Sequence, residues 1–403
     1  MSGLTGVVLV INAGSSSLKY DLIDVESGAS RASGIVERIG EQSSLAKHAV
    51  GGELHRQEGP CPDHGAAFEL VLGAFDAHGP DLAGVELAAV GHRVVHGGAQ
   101  FSAPTRIDDE VEATIERLIP LAPLHNPANL EGIRVARTHF PDVPQVAVFD
   151  TAFHQTLPPH AYTYAINRVW REEHRVRRYG FHGTSHAYVS RRAAELVGRA
   201  VTQANVIVLH LGNGASATAV AGGRSVDTSM GLSPLEGLVM GTRPGDLDPS
   251  LPAHLARAGI SLEEYDRALN KDSGLKGLTG SNDAREVEER AAAGDPDARL
   301  AIDVMAHRLR KYIGAYAAVL GRVDAVAFTA GIGEHSPTVR AAALDGLRDL
   351  LGIELDPAAN AAATSGEHRI STPSSRVAVL VVPTAEELEI AREAAEVASA
   401  SHP

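Results

Sequence analysis

The chain is poor in several residue types, and each shortage closes a class of explanation. Among 403 residues there is one cysteine, Cys61, which excludes a disulfide framework and a cysteine-built zinc site and suits a reducing, cytoplasmic setting. Positive charge is in deficit. Lys+Arg is 36 against Asp+Glu 50, and a net charge of -14 makes a poor general binder of nucleic acid or of an anionic membrane surface. A few local arginines can still hold one anion. No apolar run approaches the length of a membrane span. Met1-Ser2-Gly3-Leu4-Thr5 has neither the basic region nor the apolar stretch of a secretory leader. The phosphate-loop pattern ending in Gly-Lys-Ser/Thr is missing, and Gly212-x-Gly214 and Gly331-x-Gly333 lack the third glycine of a dinucleotide fingerprint. What remains is ordinary globular material, 44% hydrophobic and 21% charged, long enough for two or three domains.

Apolar runs and turn signals give the organisation. Val7-Val8-Leu9-Val10-Ile11 reads as a strand, Asn12 to Ser17 as a polar turn, and Leu18 to Ile23 as the returning strand. The design recurs about 200 residues later. Val206 to Leu211 leads through Gly212-Asn213-Gly214-Ala215-Ser216 into Ala217-Thr218-Ala219-Val220. Two such units predict a duplicated domain. Further strands are expected at Ala88 to Val90, Gln145 to Phe149, Ala325 to Phe328 and Val377 to Val382. Between them Ile302, Met305, Leu309, Ile313, Tyr316 and Leu320 keep a helical stripe, and Thr384-Ala385-Glu386-Glu387 reads as a capping box opening a final helix. Strands alternating with helices predict an α/β fold. Residues 40–65 read as a loop or exposed hairpin. Boundaries are expected near Asp150 and Glu387, giving a first domain of 1–150 plus 388–403 and a second of 151–387.

Three small-residue turns follow apolar strands: Gly14-Ser15-Ser16-Ser17, Gly212-Asn213-Gly214-Ala215-Ser216 and Gly331-Ile332-Gly333-Glu334. Glycine lets backbone approach a phosphate, and free N–H and hydroxyl donors bind its oxygens. Each alone is equally an ordinary hairpin turn; three together, with Lys19 beside the first, suggest phosphate binding. His182 and His186 are four apart, as in zinc-binding helix pairs, but Gly183-Thr184-Ser185 is poor helix and no third ligand stands nearby. Arg93 and Arg243 lie in glycine-flanked segments where a guanidinium fork can meet an anion, although each alone could be a surface ion pair. Asp150 ends one strand and Glu386 follows another, where carboxylates face the ligand crevice of an α/β sheet; Glu386 could equally be first-turn helix charge.

These stretches, together with Gly91-His92-Arg93-Val94-Val95-His96-Gly97-Gly98, Leu124-His125-Asn126-Pro127, Phe149-Asp150-Thr151-Ala152-Phe153-His154, Phe181-His182-Gly183-Thr184-Ser185-His186 and Met240-Gly241-Thr242-Arg243-Pro244-Gly245-Asp246, closely resemble the acetate kinase family. The blocks run in order from about residue 7 to 395. The resemblance implies the duplicated actin-like ATPase architecture, two domains with an active-site cleft between them, and a homodimer in the cytoplasm. It implies transfer of the ATP γ-phosphoryl group to acetate, with Mg²⁺, or Mn²⁺ in its place. By resemblance Asn12 and Glu386 hold the metal, Lys19 neutralises phosphate charge, and Arg93 takes the acetate carboxylate. Arg243 and His182 act on the phosphoryl in flight, and Asp150 is placed in the catalytic set, orienting an arginine or a metal-bound water. Val95, Leu124, Phe181 and Pro234 form the methyl pocket. The nucleotide falls to His210, Leu211, Gly212, Asn213 and Gly214, to Asp283, Ala284 and Arg285, and to Gly331, Ile332, Gly333, Glu334 and His335. Ala284 departs from the family, which has a bulkier residue there.

The implied reaction suits the residues. An acyl carboxylate has a pKa of about 4–5 and is ionised at neutral pH, so it needs no general base. The difficulty is bringing one anion against another, which asks for charge neutralisation and in-line alignment. A kinase for a longer acyl chain such as propionate is the alternative within the class. An actin-like or chaperone ATPase is the alternative outside it, and it has no need of a second anion site.

Overall fold

The computed structural model describes residues 5–82 and 84–400. Residues 1–4, on which the reading of the N-terminus rests, and residues 401–403 of the expected first domain lie outside the described residues. The chain divides into two units, Met1–Ala152 with Ala385–Pro403, and Phe153–Thr384.

The first unit is built on a sheet of β1 (Val7–Gly14), β2 (Ser17–Asp24), β3 (Ser30–Glu37), β4 (Ser44–Val50), β5 (Glu53–Gly59), β6 (Leu87–Val94), β7 (Thr105–Arg106) and β8 (Gln145–Phe149). Their order is β5-β4-β3-β2-β1-β6-β8-β7. β1 pairs antiparallel with β2, then parallel with β6, which runs parallel with β8. β1 is a continuous apolar run because both its faces are covered. Leu9 and Ile11 pack with Leu18, Leu22, Phe68 and Phe75 on one side. Val8 and Val10 pack with Val148, Ile390 and Ala394 on the other, where the final helix Glu386–Ala400 lies.

The second unit holds β9 (Asn205–Leu211), β10 (Ala215–Ala221), β11 (Arg224–Thr228), β12 (Ala325–Thr329), β13 (His368–Arg369) and β14 (Ala378–Val381), ordered β11-β10-β9-β12-β14-β13. β9 is antiparallel to β10 and parallel to β12, and β12 is parallel to β14. Set beside the first unit, the shared core is the same: a hairpin, a third antiparallel strand, and two parallel strands beyond. The duplication suggested by the recurring hairpins is therefore a duplication of topology. The expected helical stripe is the helix Pro296–Leu320, with Met305, Leu309, Ile313 and Tyr316 buried. Among the described residues no helix is long and apolar enough to cross a membrane.

Several elements differ from the sequence reading. The first hairpin turn is shorter, because Gly14 pairs with Ser17 and only Ser15 and Ser16 turn, so Asn12 stays in the strand. Residues 44–59 are the hairpin of β4 and β5. Gly331-Ile332-Gly333-Glu334 is no turn but lies in the helix Ala330–His335; the reversal is made by Ala330, at φ 63°. Gly183-Thr184-Ser185 likewise opens a real helix, Gly183–Leu196, rather than breaking one. The capping box at Thr384 does not form: its hydroxyl bonds Ser185 Oγ at 3.1 Å, and Ala385 O takes the first helical bond, from Glu389 N.

Candidate active site

In the first unit β1, β6 and β8 are neighbours running parallel, so their carboxyl ends lie side by side, where α/β sheets bind ligands. Those ends carry Asn12, Arg93 and Asp150. Arg93 Nε donates to Asp150 Oδ1 at 3.0 Å, Nη2 donates to Oδ2 at 2.5 Å, and Nη1 donates to Asn12 Oδ1 at 3.2 Å. The Asp150 side chain is 3% exposed and that of Arg93 21%. This is a buried two-point fork, not a surface pair. Burial alone would lower the Arg93 pKa, but the charges of Asp150 and Glu386 outweigh it and the guanidinium is held above its ordinary value. Three of its five N–H groups are used in these bonds, which leaves two for an anion.

Glu386 stands at the start of the final helix. Burial raises its pKa, and Arg93 and Lys19 act against that rise. Lys19, Asn12, Asp21 and Glu387 line an open hollow of about 470 Å³. Asp21 sits at about 6, pushed up by burial and by the Glu387 charge against a bond from Ser30. The oxygen donors here, among the described residues, are the Asn12 amide, engaged by Arg93, and the Asp21, Glu386 and Glu387 carboxylates. So small a set suits Mg²⁺, which keeps waters and phosphate oxygens in its shell, better than an ion caged by protein alone. No group of three or more His, Cys, Asp or Glu placed to hold a metal exists among the described residues.

Val95 follows β6 and is buried, while Leu124 is 52% exposed. Two asparagines that the sequence reading passed over or left without a role fix this segment. Asn129 Oδ1 accepts from Val95 N at 3.0 Å and its Nδ2 donates to Ala13 O at 2.6 Å; Asn126 exchanges two bonds with the His96 backbone. The signal was available, since Asn126 and Asn129 are three apart in one helix and so share a face.

The second unit gathers His182, His210, Gly214 and Arg243. His182 precedes the helix Gly183–Leu196 in the left-handed region, φ 57°, an uncommon conformation for a non-glycine residue and one found at functional sites. Its ring stacks on His210, centroids 4.2 Å apart and planes 22° apart. A Cβ on Gly214 would lie 2.6 Å from Arg243 Nη2 and 3.5 Å from His182 Nε2, so glycine is what lets both groups reach this backbone. Arg243 donates to Pro234 O at 2.8 Å, and burial lowers its pKa. Its loop is tied down by Met240 N to Arg243 O at 3.0 Å and by Leu275 N to Met240 O at 2.9 Å. Asn213 O accepts from Gly241 N at 3.0 Å, and Asn213 Oδ1 accepts from Asn282 Nδ2 at 3.2 Å. That joins the 212–214 turn to the segment before Asp283.

Asp283 caps the helix Ala284–Ala292 and forms its own two-point pair with Arg285, at 3.0 and 2.6 Å. The helix Ala330–His335 is fixed from below by Arg340. This fully buried arginine, singled out by no motif, donates to the Gly333 and Glu334 carbonyls at 3.0 and 2.7 Å and to Asn360 Oδ1 at 2.8 Å. Glu334 Oε1 accepts from Thr384 N at 3.3 Å. Phe181 is buried and its carbonyl bonds His154 Nε2 at 2.9 Å.

Residues 7–392 match the acetokinase family. The chain is 59% identical over 394 residues to an acetate kinase of Leifsonia xyli, covering 98% of this chain and 99% of that one. It is 60% identical over 387 residues to an acetate kinase of Streptomyces coelicolor, covering 95% of each. The fold matches a crystal structure of Porphyromonas gingivalis acetate kinase with TM-score 0.93 at 44% identity, over 97% of this chain and 99% of that one. It matches a Francisella tularensis propionate kinase with TM-score 0.91 at 42% identity, over 97% and 100%.

Proposed function

The chain belongs to the acetokinase family, and from that premise we propose that it transfers the γ-phosphoryl group of ATP to the carboxylate of acetate, reversibly, giving acetyl phosphate and ADP. The observation that carries the reading onto these residues is Arg93. It is held at two points by Asp150 at the ends of parallel strands, with two N–H groups left over and buried Val95 two residues on. A non-transferring ATPase has no use for such a second anion site.

Arg93 binds the acyl carboxylate and Asp150 fixes the arginine, so Asp150 is a positioning residue and no proton need move. His182 and Arg243, which converge over Gly214, stabilise the charge on the equatorial oxygens of the transferring group. Lys19 offsets phosphate charge. Asn12 and Glu386 would hold Mg²⁺, which would offset phosphate charge when bound. The turn at 212–214, the capped segment 283–285 and the helix at 331–335 hold the nucleotide. Val95, Leu124, Phe181 and Pro234 wall the acyl methyl. A homodimer and a cytoplasmic location belong to the same proposal.

The test is incubation of the purified protein with ATP, Mg²⁺, acetate and hydroxylamine. Acetohydroxamate that depends on acetate is the expected product. ADP release that does not depend on acetate, with no hydroxamate, would overturn the reading. The likeness to a propionate kinase makes acyl choice a question for the pocket, and propionate belongs in the same assay as a competitor.

A further inference from the structure

Among the described residues four contacts between a serine hydroxyl and a histidine ring lie in the second unit, and one of them has an unambiguous polarity. His154 Nε2 lies 2.9 Å from the Phe181 carbonyl, which can only accept, so that nitrogen carries the proton. His154 Nδ1 is then the acceptor of Ser225 Oγ–H at 2.9 Å.

The other three sit in the candidate site. Ser216 Oγ lies 2.9 Å from His182 Nδ1 and 2.7 Å from His186 Nε2. A hydroxyl has one proton, so it can donate to only one of the two rings. The third observation decides which. His186 Nδ1 is buried and has no hydrogen-bond partner among the described residues. A buried N–H with no acceptor is rarer and more costly than a bare lone pair, so the His186 proton belongs on Nε2. That nitrogen then donates to Ser216, and Ser216 donates onward to His182 Nδ1.

We infer that Ser216, oriented by His186, fixes His182 as the neutral tautomer with its proton on Nε2, the nitrogen turned toward Gly214 and Arg243. Ser185 does the same for His210. The Thr384 hydroxyl donates to Ser185 Oγ at 3.1 Å, which leaves the Ser185 proton for His210 Nδ1 at 2.8 Å. Both stacked imidazoles therefore present Nε2–H donors without a charge on either, so their 4.2 Å separation sets up no repulsion. Burial, with smaller contributions from His154 and His210, holds His186 well below the ordinary histidine range, in keeping with a neutral ring. Ser216, Ser185 and His186 are positioning residues. They set a donor before substrate arrives, which is the condition for electrostatic stabilisation without reorganisation.

The consequence for catalysis rests on the phosphoryl role of His182, but the proton positions do not. The test reads them directly. Histidine-selective ¹⁵N labelling of the full chain, with His182 identified by its loss in His182→Gln, gives the two ring-nitrogen signals. Expected is a pyridine-like Nδ1 and a pyrrole-like Nε2 at neutral pH. The reverse pattern, or a doubly protonated ring, overturns the inference even if acyl phosphate is made. In Ser216→Ala the two tautomers should mix and kcat should fall about ten- to a hundredfold, with the acetate KM within about twofold. A Ser216→Ala protein with the wild-type ring signals and unchanged kcat would overturn it independently. A failed hydroxamate assay with the expected ring signals would instead sink the acyl-transfer reading alone.

Discussion

Replacing Asp150 by Asn should separate an orienting carboxylate from a proton-transferring one. The side chain is nearly isosteric and keeps one acceptor for Arg93 Nε, but it loses the charge and turns an amide N–H₂ or a weaker oxygen toward Nη2. Removing one partner of a buried ion pair costs about 3–5 kcal/mol. Arg93 is 21% exposed and can recruit water, and Asn retains one of the two bonds, so a value at or just below the bottom of that range applies. About 2–3 kcal/mol of destabilisation of the first unit follows, or roughly 5–10 °C in its thermal midpoint for a body of this size. With the fork loosened, the acetate KM should rise about tenfold or more while its pH profile keeps the wild-type shape. The checks are calorimetry, which can resolve separate transitions of the two units, and initial rates over pH. A double-mutant cycle with Arg93→Ala adds a direct measure. If the two residues act as one device, the double variant costs at least about 1 kcal/mol less than the sum of the singles. Additive effects, an unchanged KM, or a profile that gains or loses an ionisation would refute the orienting role.

Three further outcomes are expected. Gly214→Ala should push on the Arg243 guanidinium, the flexible atom nearest the new Cβ at 2.6 Å, and lower kcat more than stability; an unchanged kcat would place Arg243 away from the transferring group. Val95→Ala should narrow the acetate-over-propionate ratio of kcat/KM, by up to tens-fold for the roughly 1–3 kcal/mol that one methylene is worth, and an untouched ratio would show that Val95 does not gate the pocket. Acid should destabilise the second unit. His154 is held at about 4 by burial and His186 is lowered as well, so below the unfolded value of 6.5 the unfolded chain binds two protons that these rings do not, and their contribution to stability falls as pH drops by up to about 2.7 kcal/mol per pH unit. Asp227, raised by burial, takes up a proton in the folded state as the pH approaches its own range and works against that loss. Denaturant titrations at pH 7, 6 and 5 that showed no loss of stability in this unit would contradict the expectation.

The parts of the fold legible in the sequence are those that local pattern dictates. β1 and β9 are apolar runs because they are covered on both faces, and a small-residue turn follows each, so strand positions and the duplicated hairpin could be read from single stretches. Asp150 was legible as a candidate because strand ends in such sheets face ligands, Arg93 because it lies in a glycine-flanked segment, and Asn12 through the family resemblance. Their mutual bonds were not, since they depend on β6 lying between β1 and β8. The reading failed where a side chain elsewhere in the unit decides the local backbone. Gly331-Ile332-Gly333-Glu334 looks like a turn, yet Arg340 reaches back to the Gly333 and Glu334 carbonyls and holds the segment as the end of a helix. Gly183-Thr184-Ser185 looks like poor helix, yet His182 takes the left-handed conformation before it and the helix starts there.

The same distinction explains why Ser216 was legible only as part of a small-residue turn and Ser225 carried no signal at all. Ser216 is 34 residues from His182 and Ser225 is 71 from His154, and no spacing rule links them. What links them is strand register. Ser216 pairs with His210 across the β9–β10 hairpin, so the residue that orients His182 and the residue that stacks on it are cross-strand neighbours. A motif scan sees His210 and the glycine turn and stops there, because alanine, serine and threonine alternate all along β10 and look like ordinary small strand residues. In a sheet buried on both faces an added hydroxyl has to be bonded. The hydroxyls of Ser216, Thr218, Ser225 and Thr228 are therefore the positions in β10 and β11 whose side chains need a bonded group, and in each case the structure shows the partner: the two imidazoles for Ser216, Thr218 and Thr228 for each other, and His154 for Ser225. The pattern of a doubly covered strand therefore requires a bonded partner for Ser216, while the fold alone decides which histidine receives its proton.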